Sequence, residues 1–357
     1  MNIAFRVDAS KQIGTGHFMR DFALANALKQ HGAQIYFISR YLPPHLHIML
    51  QEQGHEYVLL ENNHENENLD ELAHAQWLGV SQAQDASDTI NVLSKKKWDW
   101  IIIDHYALDY RWESLLRKFV TNILVIDDIA DRKHDCDILI DQNYYIDMSI
   151  RYKNKVPNHC KLLLGPRYAL LQKKFKQLHD EVIIRRGPVK RILVFFGGID
   201  VNNYTGNTIK VLSEIMIQDL VVDVVIGEEQ PFSEKIRKTC EKYGYSLHVQ
   251  TNKMAELMAN ADLAIGAAGS ASWERCCMGL PALLVALADN QINIAKALDS
   301  YGACEYIDES IMKNATKLHN KIINIIEAQN KLSAFSKKAY SLVDGAGVER
   351  VFQTMNC

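Results

Sequence analysis

The feature that most constrains the fold is the regular alternation of short apolar runs with longer helical patterns. In the first half the apolar runs are "NIAFRV", "QIYFIS", "EYVLL", "DWIIIDH", "NILVIDD" and "DILIDQN". Each run is short enough for a strand that is buried on both faces, and residues 17–30 and 109–120 between them have helical patterns. This alternation predicts the α/β class, with a parallel sheet covered by helices.

The same pattern restarts in the second half of the chain. Residues 176–189 mix charged residues with Gly187 and Pro188, which is typical of a linker. The strands predicted after it are "RILVFFGG", "VVDVVIG", "SLHVQ", "ADLAIGAAG" and "PALLVAL". A chain of 357 residues also exceeds one ordinary core.

We therefore predict two Rossmann-like domains, at residues 1–180 and 188–338. The terminal segment 339–357 reads as helical with a glycine break and is expected to pack back on one of the two domains. Ligands of open parallel sheets lie at the carboxyl ends of the strands. Two such domains that face each other are expected to share one ligand in a central cleft.

Composition excludes several function classes. The net charge is −3 and no dense group of Lys and Arg is present, which argues against a nucleic-acid partner. No apolar stretch approaches the roughly 18 residues of a membrane span, and the first residues lack a secretory pattern, so a cytoplasmic location is the default expectation. The seven cysteines have no zinc or redox spacing and are interpreted as reduced thiols. Oligomeric state is not predicted, and "ENNHENENLDE" (residues 61–71) is expected to be a surface loop or mobile segment.

The first candidate motif is "FRVDASKQIGTGHFMRDFALANAL", in which a strand runs through a Gly-x-Gly turn into an amphipathic helix. His17 and Arg20 fall in the first turn of that helix, where unpaired backbone N–H groups favour an anion. An imidazole has an ordinary pKa near 6.5, so His17 is suited to take a proton from water at neutral pH. The alternative is that Gly14 and Gly16 form an ordinary tight turn and that His17 is structural.

Polar residues at strand ends extend this site. Arg6 and Asp8, at the end of the first strand, either orient the His17 ring or bind ligand hydroxyls. Tyr106 ends the run "IIIDHY" beside Asp104 and His105, and Asp127 and Asp128 end the next run. Either aspartate of that pair is also suited to cap the following turn, and the adjacent pair lacks the ligand spacing of zinc, so no metal is expected.

The strongest motif is "NADLAIGAAGSASWERCCMGLPALLVALADNQ", residues 260–291. A strand ends at Gly266, a turn of small residues runs to Ser270, and a helix that carries Glu274 follows. Backbone amides in such a turn suit a diphosphate, and the two oxygens of a carboxylate suit neighbouring ribose hydroxyls. The competing interpretation is an ordinary strand, turn and helix without a ligand.

These motifs resemble known nucleotide-sugar enzymes. The stretch "GAAGSASWERCCMGLPALLVALADNQ" is similar to the nucleotide-binding region of MurG-type N-acetylglucosaminyltransferases, which have the GT-B fold. "FRVDASKQIGTGHFMRDFALANAL", with "IIDHYALD", "LVIDD", "GPRYALLQKKF" and "FFGGID", more particularly resembles the PseG family. Members of that family are UDP-2,4-diacetamido-2,4,6-trideoxy-β-L-altropyranose hydrolases of pseudaminic acid biosynthesis.

The resemblance implies cleavage between the anomeric carbon and the phosphate-bridging oxygen, without a metal or other cofactor. It implies that His17 is the base that activates water, and attack from the opposite face of the sugar predicts inversion. The substrate contacts expected from the motifs and from the resemblance together are Arg6, Asp8, Gly14, Gly16, Arg20, Tyr106, Asp128, Arg167, Gly197, Gly198, Gly266, Gly269, Ser270, Glu274 and Asn290.

Two other functions remain open at this point. A UDP-sugar-dependent glycosyltransferase uses the same fold and nucleotide site but needs an acceptor surface. Leu42, Leu46 and Met49 in "RYLPPHLHIMLQEQ" are the candidates for such a surface. The third possibility is a nucleotide-sugar binding module without turnover.

Overall fold

The computed structural model describes residues 1–62 and 70–356. Residues 63–69, most of the polar stretch that the sequence marks as a loop, lie outside the described residues. The chain divides into two compact units. The first contains Met1–Asn143, Asp147–Leu170 and Gly347–Cys357, and the second contains Tyr144–Ile146 and Leu171–Ala346.

The first unit is built on a seven-stranded parallel sheet of order β3-β2-β1-β4-β5-β6-β7. Its strands are β1 (Asn2–Val7), β2 (Gln34–Ser39), β3 (Glu56–Leu59), β4 (Trp98–Asp104), β5 (Val120–Ile126), β6 (Ile138–Asp141) and β7 (Lys161–Leu164). The sequence predicts all of these except β7. That strand, of sequence "KLLL", has four residues and lies at the edge of the sheet.

The second unit has a six-stranded parallel sheet of order β10-β9-β8-β11-β12-β13. Its strands are β8 (Arg191–Phe195), β9 (Val221–Ile226), β10 (Ser246–Val249), β11 (Leu263–Ala267), β12 (Ala282–Val285) and β13 (Glu305–Tyr306). The two-residue strand β13 is too short to leave a sequence pattern.

Helices connect the strands of both units. They are α1 (Gly16–Gln30), α2 (Pro44–Glu52), α3 (Gln82–Leu93), α4 (Tyr110–Leu116), α5 (Lys173–His179), α6 (Tyr204–Leu212), α7 (Ser233–Tyr243), α8 (Met254–Asn260), α9 (Ala271–Cys277), α10 (Asp289–Tyr301), α11 (Glu309–Met312), α12 (Ala315–Glu327), α13 (Gln329–Leu342) and α14 (Gly347–Met355). In the described part of the chain, no helix combines the length and the apolar character that a bilayer span requires.

Burial on both faces explains the continuous apolar runs of the central strands. In β1, Phe5 packs into one buried cluster with Phe18 of α1, whereas Ala4 packs into the cluster on the opposite face with Trp112 of α4. Successive side chains of a strand point to opposite faces, so a strand covered on both sides has no polar face. The predicted α/β class with two parallel, Rossmann-like sheets is therefore confirmed.

The unit boundaries differ from the expected domain boundaries. The predicted first domain extends to residue 180, but residues from Leu171 onward, including α5, belong to the second unit. The predicted terminal segment divides in two, because α13 belongs to the second unit and α14 to the first. Gly347 lies so close to the first-unit backbone that an added Cβ would be 2.2 Å from the carbonyl oxygen of Ala169.

Candidate active site

The loop between β1 and α1 holds His17 at a fixed place. Ser10 Oγ accepts hydrogen bonds from the N–H groups of Gln12 (3.2 Å) and Ile13 (3.1 Å). The N–H of Gly14 donates to the carbonyl oxygen of Ser10 at 2.7 Å. Gly14 has a φ of 79°, in the left-handed region that favours glycine, so this position needs glycine for its backbone conformation.

His17 forms a hydrogen-bonded pair with Asp104 at the end of β4. The distance from His17 Nδ1 to Asp104 Oδ1 is 2.5 Å. A carboxylate only accepts, so Nδ1 carries the proton and Nε2 keeps its lone pair. Within residues 1–62 and 70–356, Nε2 has no hydrogen-bond partner. The pair therefore has the geometry of a general base whose ring is oriented by a buried aspartate. The sequence suggests Asp8 for this orienting role, and the structure gives it to Asp104.

Arg20, one turn after His17, binds two carboxylates. Its Nε and Nη2 donate to Asp104 at 2.5 and 2.7 Å, and its Nη1 donates to Asp128 at 2.8 Å. Tyr106 donates its hydroxyl hydrogen to the other oxygen of Asp128. The Arg20 guanidinium is thus bound by two protein carboxylates, and its expected contact with substrate stays a prediction.

Buried charge controls the ionisation of this cluster. Burial alone would raise the pKa of Asp104, but Arg20 and His17 hold it well below its usual range. Asp21, which also faces the core, has no hydrogen-bond partner for either carboxyl oxygen among the described residues. Burial, and then repulsion from Asp104, raises the pKa of Asp21 well above its usual range. The two shifts have opposite directions, so ionisation is favoured at Asp104 over Asp21.

Arg6 and Asp8 lie beneath the site. Arg6 is fully buried, and its guanidinium binds Asp8 at 2.7 and 3.0 Å and Asp85 at 2.7 and 3.1 Å. Asp8 also accepts the backbone N–H of Arg40 at 2.6 Å, which ties the end of β1 to the end of β2. Their buried ion pairs support the sheet edge, and the expected contact of these two residues with substrate stays a prediction.

The adjacent aspartates after β5 have different environments. Asp127 accepts the N–H of Ala130 at 3.0 Å and binds Arg132 at 2.9 Å, so it caps its turn, as one of the two sequence-based alternatives proposed. Asp128 instead joins Arg20 and Tyr106. Asp141, at the end of β6, lies near Asp128, and burial together with that neighbouring carboxylate raises the pKa of Asp141 to about 7.

Unpaired backbone amides surround His17. The N–H groups of Thr15, Gly16 and His17 have no acceptor within the described ranges, since they precede the first complete turn of α1. Such groups, at the positive end of a helix of 15 residues, favour an anion.

In the second unit, the turn after β11 brings two backbones unusually close. An added Cβ at Gly266 would be 2.0 Å from the carbonyl oxygen of Phe195 on the neighbouring strand β8. The carbonyl oxygen of Ala267 accepts a hydrogen bond from the buried Arg275 at 2.5 Å. The N–H groups of Gly269, Ser270 and Ala271 have no acceptor in the part of the chain that the structure describes. Three consecutive unpaired amides make this turn an anion-binding candidate.

The other sequence-predicted residues of this unit lie on the same sheet edge. Gly197, with a φ of 95°, and Gly198 follow β8, and Asn290 begins α10 just after β12. Strands β8, β11 and β12 are neighbours, so their carboxyl ends adjoin.

Glu274 projects from α9, next to that edge. Its carboxylate has no hydrogen-bond partner within residues 1–62 and 70–356, and burial raises its pKa to about 7. Gln291, which the sequence analysis did not select, also lies at the turn. Its Nε2 is 3.6 Å from the position of an added Cβ at Gly269.

Arg167 is separated from the His17 group within the first unit. It is exposed, follows the edge strand β7 and lies over the ring of Tyr168, 5.3 Å from its centroid. Two strands, β5 and β6, lie between β7 and β4, so the structure does not bring Arg167 together with His17 and Asp104. Among the described residues, no three His, Cys, Asp or Glu side chains converge as metal ligands do.

Comparison with known proteins agrees with this architecture. Residues 192–350 match the glycosyltransferase family 28 C-terminal domain. The structure of MurG from Acinetobacter baumannii superposes with a TM-score of 0.66 at 15% identity, over 99% of each chain. Together with the two parallel sheets, this match shows the GT-B fold.

Two curated proteins are distant relatives. The spore coat polysaccharide biosynthesis protein SpsG of Bacillus subtilis is 24% identical, over 98% of this chain and 96% of its own. The UDP-2,4-diacetamido-2,4,6-trideoxy-β-L-altropyranose hydrolase of Campylobacter jejuni is 26% identical, over 76% of this chain and 86% of its own.

Proposed function

We propose that this protein is a nucleotide-sugar hydrolase that converts UDP-2,4-diacetamido-2,4,6-trideoxy-β-L-altropyranose to UDP and the free sugar. The observation that carries the proposal is the His17–Asp104 pair, in which Nδ1 donates to the aspartate and Nε2 is unpartnered. The distant relationship to the C. jejuni hydrolase supports this substrate. The resemblance to that family supports the further proposal that the reaction is a step of pseudaminic acid biosynthesis, for flagellin or capsule glycosylation.

In the proposed reaction His17 Nε2 removes a proton from water as the water oxygen attacks the anomeric carbon. The bond between that carbon and the phosphate-bridging oxygen breaks, and its electron pair leaves with UDP. The attack inverts the anomeric configuration, and the imidazolium then returns its proton to solvent. General-base catalysis of this kind typically contributes about 10² to 10⁴ in rate.

We assign the nucleotide to the second unit. The unpaired amides of Gly269, Ser270 and Ala271 suit the diphosphate, whose leaving charge they stabilise. The unpartnered carboxylate of Glu274 suits two ribose hydroxyls. No step of this scheme needs a metal, and the protein's own donors carry the charge stabilisation.

A glycosyltransferase is the second candidate, because the family 28 domain match covers the proposed nucleotide site. In that case an acceptor hydroxyl replaces water. The structure weakens one argument for it. Leu46 is fully buried, and Leu42 and Met49 pack against the core of the first unit, so these residues do not form an apolar acceptor surface.

Incubation with the UDP-sugar in water labelled with heavy oxygen, without an acceptor, tests the proposal. The expected result is UDP release in proportion to substrate, with the label on the sugar as seen by NMR. Label on the phosphate would refute attack at the anomeric carbon. UDP release only after addition of an acceptor would support the transferase, and tight binding without UDP release would support a binding module.

A further inference from the structure

Two aromatic side chains contact His17 in the first unit, and a third packs against both of them. The ring of Tyr106 lies edge-on to His17 with centroids 4.6 Å apart, and Trp77 stacks on Tyr106 at 5.4 Å and 27°. His74 lies edge-on to both, 4.5 Å from Trp77 and 5.1 Å from Tyr106. We call His74, Trp77 and Tyr106 the aromatic wall. No sequence motif or family resemblance assigns a function to His74 or Trp77.

The aromatic wall differs from ordinary core packing in its exposure. Tyr106 is buried, but Trp77 and His74 are partly exposed. Trp77 also lies edge-on to His17, with ring centroids 6.4 Å apart. A partly exposed indole beside an unpartnered base is suited to contact a ligand.

The segment that carries Trp77 is firmly held. Trp77 is the last residue of a short 3-10 helix, Ala75–Trp77, and His74 immediately precedes that helix. The N–H of Trp77 donates to the carbonyl oxygen of His74 at 2.9 Å. The next residues, Leu78 and Val80, are buried in the core. The ring faces are therefore preorganised, and ordering them adds little to the cost of binding.

The wall offers apolar surface with few polar atoms. Neither ring nitrogen of His74 has a hydrogen-bond partner among the described residues. Burial lowers the pKa of His74, so the ring is neutral at neutral pH and presents one donor and one acceptor. A hydroxyl pressed against the indole face would lose its hydrogen bonds to water, whereas a methyl group would not.

We propose that the aromatic wall, through Trp77 and His74, is a sugar subsite that selects hexoses carrying methyl groups, namely deoxy or acetamido sugars, over fully hydroxylated ones. The methyl groups lie against the partly exposed indole of Trp77, and an acetamido amide pairs with the imidazole of His74. This inference rests on the proposed function for the placement of the sugar next to His17.

Saturation-transfer NMR tests the contact without requiring turnover. Protein aromatic protons are saturated, and the signals of the sugar methyl protons are compared with those of the uracil protons of the same UDP-diacetamido sugar. Trp77→Ala is expected to lower the ratio of the methyl signal to the uracil signal severalfold. It is also expected to weaken UDP-sugar binding roughly tenfold, while binding of UDP itself is unchanged. Trp77→Phe, which keeps a ring, is expected to restore most of both signals. Tyr110→Ala, which removes an exposed ring on α4, is the matched control and should change neither.

Kinetics separates a substrate contact from a role in positioning His17. For the sugar subsite, Trp77→Ala raises KM for the diacetamido sugar with a smaller effect on kcat, and His74→Ala reduces discrimination against UDP-glucose. A fall in kcat alone, with the NMR ratio unchanged, would overturn the inference and leave the proposed hydrolase intact. Conversely, a wild-type protein that shows the methyl contact but releases no UDP would refute the hydrolase and retain the subsite.

Discussion

At the residue scale, His17 acquires a chemical meaning from one neighbour. A histidine at a helix start is often structural, and the local sequence does not distinguish that case from a base. The hydrogen bond to Asp104 at 2.5 Å fixes the tautomer, and Arg20 keeps Asp104 ionised. Three side chains from two elements thus form one unit, in which only Nε2 of His17 is free to react.

His17→Asn is expected to lower kcat about 10² to 10⁴-fold, because the base is lost while the nucleotide contacts of the second unit remain. Asp104→Asn is expected to lower kcat as well, since an amide does not stabilise the imidazolium. Steady-state kinetics and calorimetric titration with UDP measure the two effects. His159→Asn, which changes an exposed histidine of the first unit, is the control. Equal losses of UDP affinity and kcat in His17→Asn would make His17 a ligand-holding residue.

Nucleotide binding is expected to depend on pH through Glu274. Its pKa of about 7 means that the carboxylate, which we propose accepts both ribose hydroxyls, forms only as pH rises through that value. The dissociation constant of UDP-glucose should therefore fall by up to roughly tenfold as the pH rises from about one unit below the pKa of Glu274 to about one unit above it.

Glu274→Gln should bind more weakly at alkaline pH and lose this pH dependence. Glu234→Gln, at an exposed position on α7, should keep it. An unchanged pH profile in Glu274→Gln would exclude the ribose contact.

At the element scale, glycines after parallel strands serve different purposes. Gly14 is required by its positive φ, whereas Gly266 is required because β8 approaches too closely for a Cβ. Gly269 has neither constraint, since the atom nearest to an added Cβ at this position is Nε2 of Gln291, at 3.6 Å. This difference separates glycines that the fold needs from one that a ligand would need.

Gly266→Ala is expected to lower the free energy of unfolding by about 1 to 3 kcal/mol, because a backbone carbonyl must shift. Gly269→Ala is expected to change it by less than about 0.5 kcal/mol but to weaken UDP binding roughly tenfold, since a methyl group would occupy the diphosphate position. Chemical denaturation measures the free energy of unfolding of the two variants, and calorimetry measures their UDP affinity. Normal UDP affinity in a stable Gly269→Ala variant would contradict a diphosphate site at this turn.

At the scale of the whole molecule, both units have a core of their own, and buried charge pairs link the loops to those cores. In the first unit His134 Nδ1 is 2.7 Å from Glu113 on α4, and both side chains are fully buried. Burial alone would lower the pKa of His134, but Glu113 and Asp127 raise it to about 9. The imidazolium is therefore a structural cation at neutral pH.

This pair predicts how stability changes with pH. The pKa of His134 in the folded state exceeds its ordinary value near 6.5, so its contribution is complete below that value and is lost as pH rises through about 9. His134→Gln should lower the free energy of unfolding by about 3 kcal/mol at neutral pH, because it leaves Glu113 buried without a cation. The difference in the free energy of unfolding between this variant and the wild type should become smaller as the pH rises towards about 10. Thermal denaturation at a series of pH values measures it. A constant difference across this range would mean that His134 is neutral in the folded protein. His159→Gln is the exposed control.

The sequence by itself determined the α/β class, the two sheets and nearly every central strand, because a strand buried on both faces must be apolar along its length. It also located the turns of "GTGH" and "GAAGS", because glycine and small residues that follow a strand indicate a turn from the local sequence alone. It missed the edge strand β7, and it missed β13, whose two residues are too short for a pattern.

Only the tertiary structure decided which charged side chains meet. Arg6, Asp8 and Arg20 appear in the sequence as candidate ligand contacts. In the structure, carboxylates bind the guanidinium groups of Arg6 and Arg20, and Asp8 is the ion-pair partner of Arg6. In the sequence, Asp104 is one of several carboxylates at strand ends. It contacts His17 because β4 pairs with β1, the strand that leads into the His17 helix. Trp77 and His74 have no motif at all, and they join the site through loop packing alone. Spacing along the chain encodes hydrogen bonds within a helix or a strand, but contacts between side chains 60 to 87 positions apart depend on the order of strands in the sheet.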